Sequence, residues 1–206
     1  MNLRGKFIVL DGGEGCGKST QTELLRDALT KRGVDVLVVR DPGATHIGEQ
    51  IREVLLNPGQ SEMNMRCEML LYMAARAQLM SQVIFPALAE QKCVLCDRFV
   101  SSTLSYQLGG DGLTSQDIKA VAEVAIKGRW PDLLVFLDMP REKSHERLKR
   151  PKDRIERRPM EYHDQVRQNY LDQAAADPKR HRVIDGGRDA QAVHADILAA
   201  VLEFAG

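Results

Sequence analysis

Residues 7–20 read FIVLDGGEGCGKST, an apolar run followed by a glycine-rich loop and then by Lys18, Ser19 and Thr20. The apolar run, 7–11, is predicted to form a buried strand. The loop at 12–19 fits the pattern G-x-x-x-x-G-K-[ST], in which glycines let successive backbone N–H groups point at phosphates. The helix predicted from Lys18 adds the positive end of its dipole. The stretch therefore predicts a nucleotide phosphate site between a strand and a helix.

Two side chains of this loop have roles that follow from their chemistry. Lys18 is expected to reach the β- and γ-phosphates of ATP, and the Ser19 hydroxyl to bind Mg²⁺. The pattern assigns a continuous set of residues to ATP: Gly12, Gly13, Glu14, Gly15, Cys16, Gly17, Lys18, Ser19 and Thr20. Cys16 is also a candidate for easy oxidation, because a positive loop at a helix start lowers a thiol pKa, although its reading as a small filler residue is the simpler one.

Apolar periodicity predicts strands and helices in alternation along the whole chain. Strands are predicted at 7–11, 34–39, 93–96, 133–137 and 183–184, and helices at 18–31, 47–56, 66–90 and 190–204. Such alternation implies right-handed crossovers and a parallel sheet covered on both faces. We therefore predict one domain over residues 1–206, with the three-layer α/β/α fold of P-loop NTPases and a five-stranded parallel sheet. Ligands of such sheets bind at the carboxyl ends of the strands.

Composition excludes several classes of protein. The 206 residues are 43% hydrophobic and 28% charged, and Lys+Arg and Asp+Glu number 29 each. The balance argues against nucleic acid as a partner. No apolar run reaches the roughly 18 residues that a membrane span needs, and the start, MNLRGKFIVLDGG, is too short for a signal peptide. We predict no membrane association.

The cysteine content predicts a reduced, cytoplasmic protein. The chain has four cysteines, Cys16, Cys67, Cys93 and Cys96. Cys93 and Cys96 have the spacing of half a zinc site, but no second pair exists and both lie in the apolar run KCVLCD. They are predicted to be core residues of a strand.

Further candidate residues follow the third strand and lie on the long helix. Asp97 and Arg98 should emerge beside the loop, where an aspartate can hold water on Mg²⁺ and an arginine can grip a phosphate bidentately. Tyr72 and Arg76 are four residues apart and share a helix face. Together they suit a planar pyrimidine, although such pairs are common and Tyr72 by itself is more readily interpreted as a core aromatic.

A P-loop by itself does not name a reaction, since GTPases, motors and kinases share it. The chain has no N-K-x-D guanine signature and is short for a motor. A nucleotide-binding regulatory protein, another monophosphate kinase and a deoxynucleoside kinase stay open at this point.

Four segments in order resemble the bacterial thymidylate kinase family: DGGEGCGKST at 11–20, RDPGAT at 40–45, LLYMAARAQL at 70–79 and DRFVSSTLSYQ at 97–107. The resemblance implies transfer of the γ-phosphoryl group of Mg·ATP to dTMP, giving dTDP. It also implies a homodimer.

The resemblance assigns roles on the dTMP side of the site. Arg98 matches the arginine that binds the acceptor phosphate, and Arg40 a second arginine on that side. Tyr72 matches the aromatic residue that stacks on thymine, and Arg76 the arginine that contacts base O4. The remaining candidates are Glu14 for the 3′-hydroxyl, Tyr106 for the sugar, and Ser101, Ser102 and Gln107 for the base.

The stretch at 147–158, RLKRPKDRIERR, has seven basic and two acidic residues. It reads either as a solvated helix end or, after a strand of a phosphate-handling protein, as a lid. Because the P-loop contains no arginine, the resemblance places the transition-state arginine in this lid. Arg154, in the matching run DRIE, is the main candidate, followed by Arg147 and Arg150. Asp185 and Gly186 are expected to pass backbone beside adenine.

The chain departs from the family pattern at several positions. Asp41 stands where a glutamate is usual, Ala44 where a glycine is usual, and Phe99 where a tyrosine often occurs. Tyr72 replaces a phenylalanine and Cys16 a small alanine. None of these changes removes a phosphate ligand, so they bear on fine specificity more than on activity.

Overall fold

The computed structural model describes residues 2–140, 143, 144, 147 and 151–206. Its centre is a sheet of five parallel strands in the order β2-β3-β1-β4-β5, which confirms the predicted fold class. The strands are β1 (Phe7–Gly12), β2 (Val36–Arg40), β3 (Cys93–Asp97), β4 (Leu133–Asp138) and β5 (His181–Asp185). The strand predicted at 34–39 begins later, and the one predicted at 183–184 is longer.

Helices connect the strands and cover the sheet. They are α1 (Lys18–Thr30), α2 (His46–Leu56), α3 (Met65–Leu79), α4 (Phe85–Ala89), α5 (Val100–Tyr106), α6 (Ser115–Ile126), α7 (Met160–Ala176) and α8 (Ala190–Phe204). A π-helical turn, Met80–Ile84, joins α3 to α4. The helix predicted at 66–90 is therefore one helical segment with a π-turn inside it, a feature that apolar periodicity does not reveal.

The side chains of β1 alternate between two cores. Phe7 and Val9 pack into a core on one face of the sheet, while Ile8 and Leu10 pack into a second core on the other face. Because successive strand residues point to opposite faces, a fully apolar strand needs helices on both sides. The three predicted layers follow from this burial.

Cys93 and Cys96 are both fully buried in β3, as the core interpretation predicts. Among the described residues there is no group of three or more histidine, cysteine or acidic side chains placed to hold a metal ion. None of the described helices is long and apolar enough to cross a bilayer.

The carboxyl ends of the three strands that the motifs follow meet at one edge of the sheet. β1 lies at the centre of the sheet, between β3 and β4. The strand order therefore reverses at β1, since β2 and β3 lie on one side of it and β4 and β5 on the other. Leu10 is in register with Asp97, and Asp97 with Arg40. This register brings the phosphate loop, Asp97 and Arg40 together at the crevice that such a reversal creates.

The end of the predicted lid packs into the body of the protein. Ile155 is 3% exposed and belongs to the core that contains Phe7. The Arg154 backbone N–H donates to Leu56 O at 3.2 Å, at the end of α2. Residues 154–156 are thus an anchored stem, which disagrees with the interpretation of the stretch at 147–158 as a solvated helix end.

Candidate active site

A cavity of about 630 Å³ lies at the carboxyl edge of the sheet. It brings together most of the residues predicted from sequence: Glu14, Gly15, Cys16, Gly17, Lys18, Ser19, Thr20, Arg40, Tyr72, Arg76, Asp97, Arg98, Ser102, Tyr106, Gln107, Arg147 and Gly186. The phosphate loop lies at one end and the side chains of α3 and α5 at the other. One cavity is therefore shared by the predicted ATP and dTMP residues.

The phosphate loop curls in a way that only glycine permits. Gly12 has a φ of 140°, and a Cβ added to it would lie 2.5 Å from Leu137 O. Lys18 is 8% exposed, and its Nζ donates to Gly12 O at 3.2 Å and to Gly13 O at 2.7 Å. The ammonium group is thereby held over the loop that the motif assigns to phosphates. Cys16 is 3% exposed, and its oxidation stays a prediction.

Ser19 and Asp97 meet at the floor of the cavity. The Ser19 hydroxyl donates to Asp97 Oδ2 at 3.0 Å. These are the two residues that the sequence predicts at a magnesium ion, and both offer the oxygen ligands that Mg²⁺ prefers. Two protein groups suffice for a magnesium ion that takes its other ligands from water and phosphates, so the pair fits the metal.

Arg98 lies between the two ends of the cavity, in a left-handed backbone conformation with a φ of 69°. Its guanidinium donates to Gly12 O at 3.0 Å, Ser102 Oγ at 3.1 Å and Glu14 Oε1 at 3.2 Å. The ring of Tyr106 lies 5.3 Å from its central carbon. The charge of Arg98 is thus fixed beside the phosphate loop.

Glu14 and Tyr106 form a donor–acceptor pair on the same wall. The Tyr106 hydroxyl donates to Glu14 Oε1 at 2.5 Å. Burial alone would raise the pKa of Glu14, but Arg98, Lys18 and Tyr106 hold it below its usual value. Burial and the Glu14 charge raise the pKa of Tyr106 well above its usual value. The site therefore contains a carboxylate and a neutral phenol at this wall.

Ser101 does not line the cavity, which corrects its assignment as a base contact. It is 3% exposed, and its hydroxyl donates to Asp11 Oδ2 at 2.5 Å. The Ser102 hydroxyl and the Tyr170 hydroxyl donate to Asp11 Oδ1 at 2.8 Å and 2.7 Å. The fully buried Asp11 accepts hydrogen bonds from all three hydroxyls. The sequence analysis did not identify Asp11 or Tyr170 as residues that position this part of the site.

Arg76 is 1% exposed and held on three sides. Its Nε donates to Asp41 Oδ2 at 2.5 Å, its Nη1 to Thr103 Oγ1 at 3.2 Å and its Nη2 to Phe99 O at 3.0 Å. Thr103 and Asp41 also line the cavity. Both were missed in sequence, although each lies inside a quoted motif.

Two further arginines, Arg40 and Arg52, line the cavity. Arg40, which is more than half exposed, forms an ion pair with Glu49 at 2.7 Å. Arg52 was missed in sequence, where it reads only as one charge of an amphipathic helix. It lines the cavity and donates to Pro42 O at 3.0 Å. Burial and the nearby positive charge of Arg40 lower the pKa of Arg52.

The structure does not bring Arg154 to the cavity. Its guanidinium donates to Leu55 O at 2.8 Å and to Glu68 Oε2 at 2.5 Å, because the buried Glu68 carboxylate needs a counter-charge. Arg147, the second candidate, does line the cavity and donates to Gly186 O at 3.3 Å. Arg150 lies outside the described residues.

Gly186 lines the cavity beside the phosphate loop, whereas Asp185 does not line it. A Cβ added to Gly186 would lie 3.2 Å from Cys16 O, so this segment passes directly beside the phosphate loop. The exposed Asp185 accepts from Gly187 N at 2.8 Å and acts as a turn residue. Arg188 and Val193 line the cavity here and were missed.

A glycine-rich P-loop, a neighbouring hydroxyl–carboxylate pair and several arginines around one cavity are the features of a P-loop phosphotransferase. Comparisons with known proteins give the particular family. A family model described as thymidylate kinase matches residues 10–197. The thymidylate kinase of Pelotomaculum thermopropionicum is 48% identical over 204 residues, 98% of this chain and 94% of that protein. The thymidylate kinase of Chromohalobacter salexigens is 43% identical over 97% of this chain and 96% of its own.

A solved structure agrees with the sequence comparisons. The crystal structure of thymidylate kinase from Ehrlichia chaffeensis superposes with a TM-score of 0.79 and 29% identity, over 96% of this chain and 98% of that chain. The chain belongs to the thymidylate kinase family.

Proposed function

We propose that the protein transfers the γ-phosphoryl group of Mg·ATP to dTMP, giving dTDP, in the synthesis of dTTP. The observation that carries this proposal is the shared cavity, with the phosphate loop at one end, Tyr72 and Arg76 at the other, and Arg98 between them. Phosphoryl transfer depends mainly on positioning two anions in line and on stabilising charge. A single cavity lined with cations between two nucleotide ends supports that task.

The acceptor in this reaction needs no general base. A nucleoside monophosphate has a second pKa of about 6, so its attacking oxygen is already ionised at neutral pH. Arg98 binds the acceptor phosphate, supported by Arg52 and Arg40. Lys18 stabilises the charge on the transferred group. Arg147 replaces Arg154 as the lid arginine, because it reaches the cavity.

Ser19 and Asp97 would hold the metal, the serine through its hydroxyl and the aspartate directly or through water. Bound there, Mg²⁺ supplies positive charge to the β- and γ-phosphate oxygens. The hydrogen bond between the two side chains supports this role, because it sets both oxygens side by side.

The acceptor base lies between Tyr72 and Arg76. Four of the five guanidinium N–H groups of Arg76 are used within the protein, by Asp41, Met73, Thr103 and Phe99. Among the described residues, no partner takes the second N–H of Nη2, and this group donates to base O4. Glu14 and Tyr106 flank the deoxyribose, with the carboxylate accepting from the 3′-hydroxyl.

Release of ADP from ATP, with dTMP, dUMP, ribo-TMP, dCMP, AMP and GMP offered separately, tests the proposal. We expect a strong preference for dTMP and no release without an acceptor. An Asp97→Asn variant should need more Mg²⁺ for half its maximal rate, while Asp35→Asn, the same change at an exposed site, should not. Acceptor-independent release would overturn the proposal.

We also propose a cytoplasmic homodimer. Four free cysteines support a reducing compartment. Exposed apolar side chains on three packed helices support a second copy as the partner: Ile47 and Val54 on α2, Leu70 on α3 and Val124 on α6. Large exposed apolar groups gathered on neighbouring helices are typical of interfaces.

A further inference from the structure

Glu68 is a fully buried carboxylate in the first turn of α3. It lies four residues before Tyr72 and eight before Arg76, so it shares the helix face that lines the acceptor end of the cavity. No role in phosphate or metal binding falls to it. A buried charge away from the reacting groups is costly unless its partners compensate it.

The partners of Glu68 divide between its two oxygens. Oε1 accepts from Gln107 Nε2 at 2.7 Å. Oε2 accepts from Arg154 at 2.5 Å and from Arg158 at 2.6 Å. Both arginines are themselves anchored, Arg154 by Leu55 O and Arg158 by the Tyr162 hydroxyl. Arg154 of the stem and Arg158 just after it therefore hold the Glu68 carboxylate in one orientation.

A carboxylate can only accept hydrogen bonds, so Gln107 must turn its amino group toward Glu68. None of the described residues donates to the amide oxygen of Gln107, and Gln107 is 1% exposed and lines the cavity. Gln107 lies one helical turn beyond Thr103, which bonds Arg76. Without Glu68, the amide could present either its oxygen or its amino group to a base.

The orientation matters because pyrimidines differ at N3. Thymine carries a donor N3–H next to the O4 acceptor, whereas cytosine carries an acceptor N3 next to an amino group. With Arg76 at O4, an amide oxygen beside it accepts from N3–H of thymine and repels the N3 lone pair of cytosine. A flipped amide would do the reverse.

We propose that Glu68 is a positioning residue that fixes the Gln107 amide with its oxygen toward the acceptor base, and thereby favours thymine over cytosine. The inference rests on the proposed dTMP site.

The Glu68→Gln substitution tests this inference, because it replaces one acceptor oxygen of residue 68 by a donor amino group. Arg154 and Arg158 require the oxygen of the new side chain, so its amino group faces Gln107. The Gln107 amide must then flip and present an amino group to the base. We expect the ratio of kcat/KM for dTMP over dCMP to fall about 10- to 100-fold, since correct base-edge pairing is worth about 1–3 kcal/mol. The KM for ATP should stay unchanged.

The double variant Glu68→Gln with Gln107→Glu restores the original pattern of donors and acceptors, with an acceptor oxygen toward the base. It should recover the dTMP preference that the single variant loses. Glu123→Gln, the same change on a carboxylate that accepts from Trp130 at the exposed surface, should leave the ratio as in the wild type.

The Gln107→Leu variant removes the amide but leaves Glu68 and its arginines in place. It too should lower the ratio of kcat/KM for dTMP over dCMP. A parallel loss of activity on both acceptors in Glu68→Gln, or an unchanged ratio in Gln107→Leu, would overturn the inference and assign Glu68 a structural role only. A wild-type enzyme that does not use dTMP would instead overturn the proposed function, so the two failures are distinguishable.

Discussion

Two of the charged residues that the sequence predicts at the substrates are paired with protein groups in this structure. Lys18 donates to loop carbonyls, and Arg40 pairs with Glu49. The Arg40–Glu49 pair is exposed, and such pairs contribute only about 0–1 kcal/mol. Breaking the Arg40–Glu49 pair so that Arg40 can bind the acceptor phosphate, as we propose, therefore costs little. The guanidinium of Arg40 is therefore held in place by Glu49 near the surface, and this pair contributes little to the stability of the fold.

Arg52 is the residue whose importance sequence reasoning did not reveal. We expect Arg52→Met to raise the KM for dTMP about 10- to 100-fold, since a hydrogen bond to a charged group is worth about 1.5–3 kcal/mol. The KM for ATP should change little. Steady-state kinetics with each substrate varied separately measures both.

Arg32→Met is the matched control for this prediction, because Arg32 is exposed and also donates to a backbone carbonyl, Ala28 O, at 2.8 Å. It should leave both KM values unchanged. An equal rise of both KM values in Arg52→Met would show that Arg52 supports the fold of the cavity and not acceptor binding.

At the scale of elements, the end of β1 is tied to α5 and α7 through one buried carboxylate. Asp11 accepts from its neighbour Gly12 N at 2.9 Å as well as from hydroxyls of both helices. Tyr170, on α7, also contacts Arg98 at 3.3 Å. The start of the loop at 12–19, α5 and α7 are thus joined at Asp11.

We expect Asp11→Asn to lower the free energy of unfolding by about 3 kcal/mol, because an amide cannot accept from all these donors and leaves buried groups unpaired. Tyr170→Phe removes one donor and should cost about 1 kcal/mol. Urea unfolding should show both as a lower midpoint with an unchanged m value.

The exposed Asp35→Asn variant should keep the wild-type midpoint. If Asp11→Asn were as stable as Tyr170→Phe, the network around Asp11 would not act as a unit.

At the scale of the whole molecule, the apolar patch on α2, α3 and α6 is where a second copy is expected to bind. We predict that Val54→Glu and Leu70→Glu each convert a dimer to a monomer, because a charge buried at an interface without a partner is strongly unfavourable. Light scattering after size exclusion measures the mass. Val183→Glu, on the exposed β5, is the control and should stay dimeric. A monomeric wild type would contradict the prediction.

Local patterns in the sequence determine the strands of the sheet and the place of the phosphate loop. Alternating apolar runs and the loop at 12–19 predict the five-stranded sheet and the phosphate site, because strand burial and glycine backbone geometry are properties of short segments. The order of strands also brings the motifs to one edge of the sheet, which is why Ser19, Asp97 and Arg98 are found together as predicted.

Only the tertiary structure decided which polar side chains face the cavity. Ser101 turns to Asp11, and Arg154 turns to Glu68, although their motifs suggest substrate contacts. Arg52 and Thr103 line the cavity without any signal of their own. Each buried charge takes the strongest available partners, wherever in the sequence these lie. The direction of each side chain therefore depends on residues that are distant in the sequence. It cannot be predicted from one segment alone.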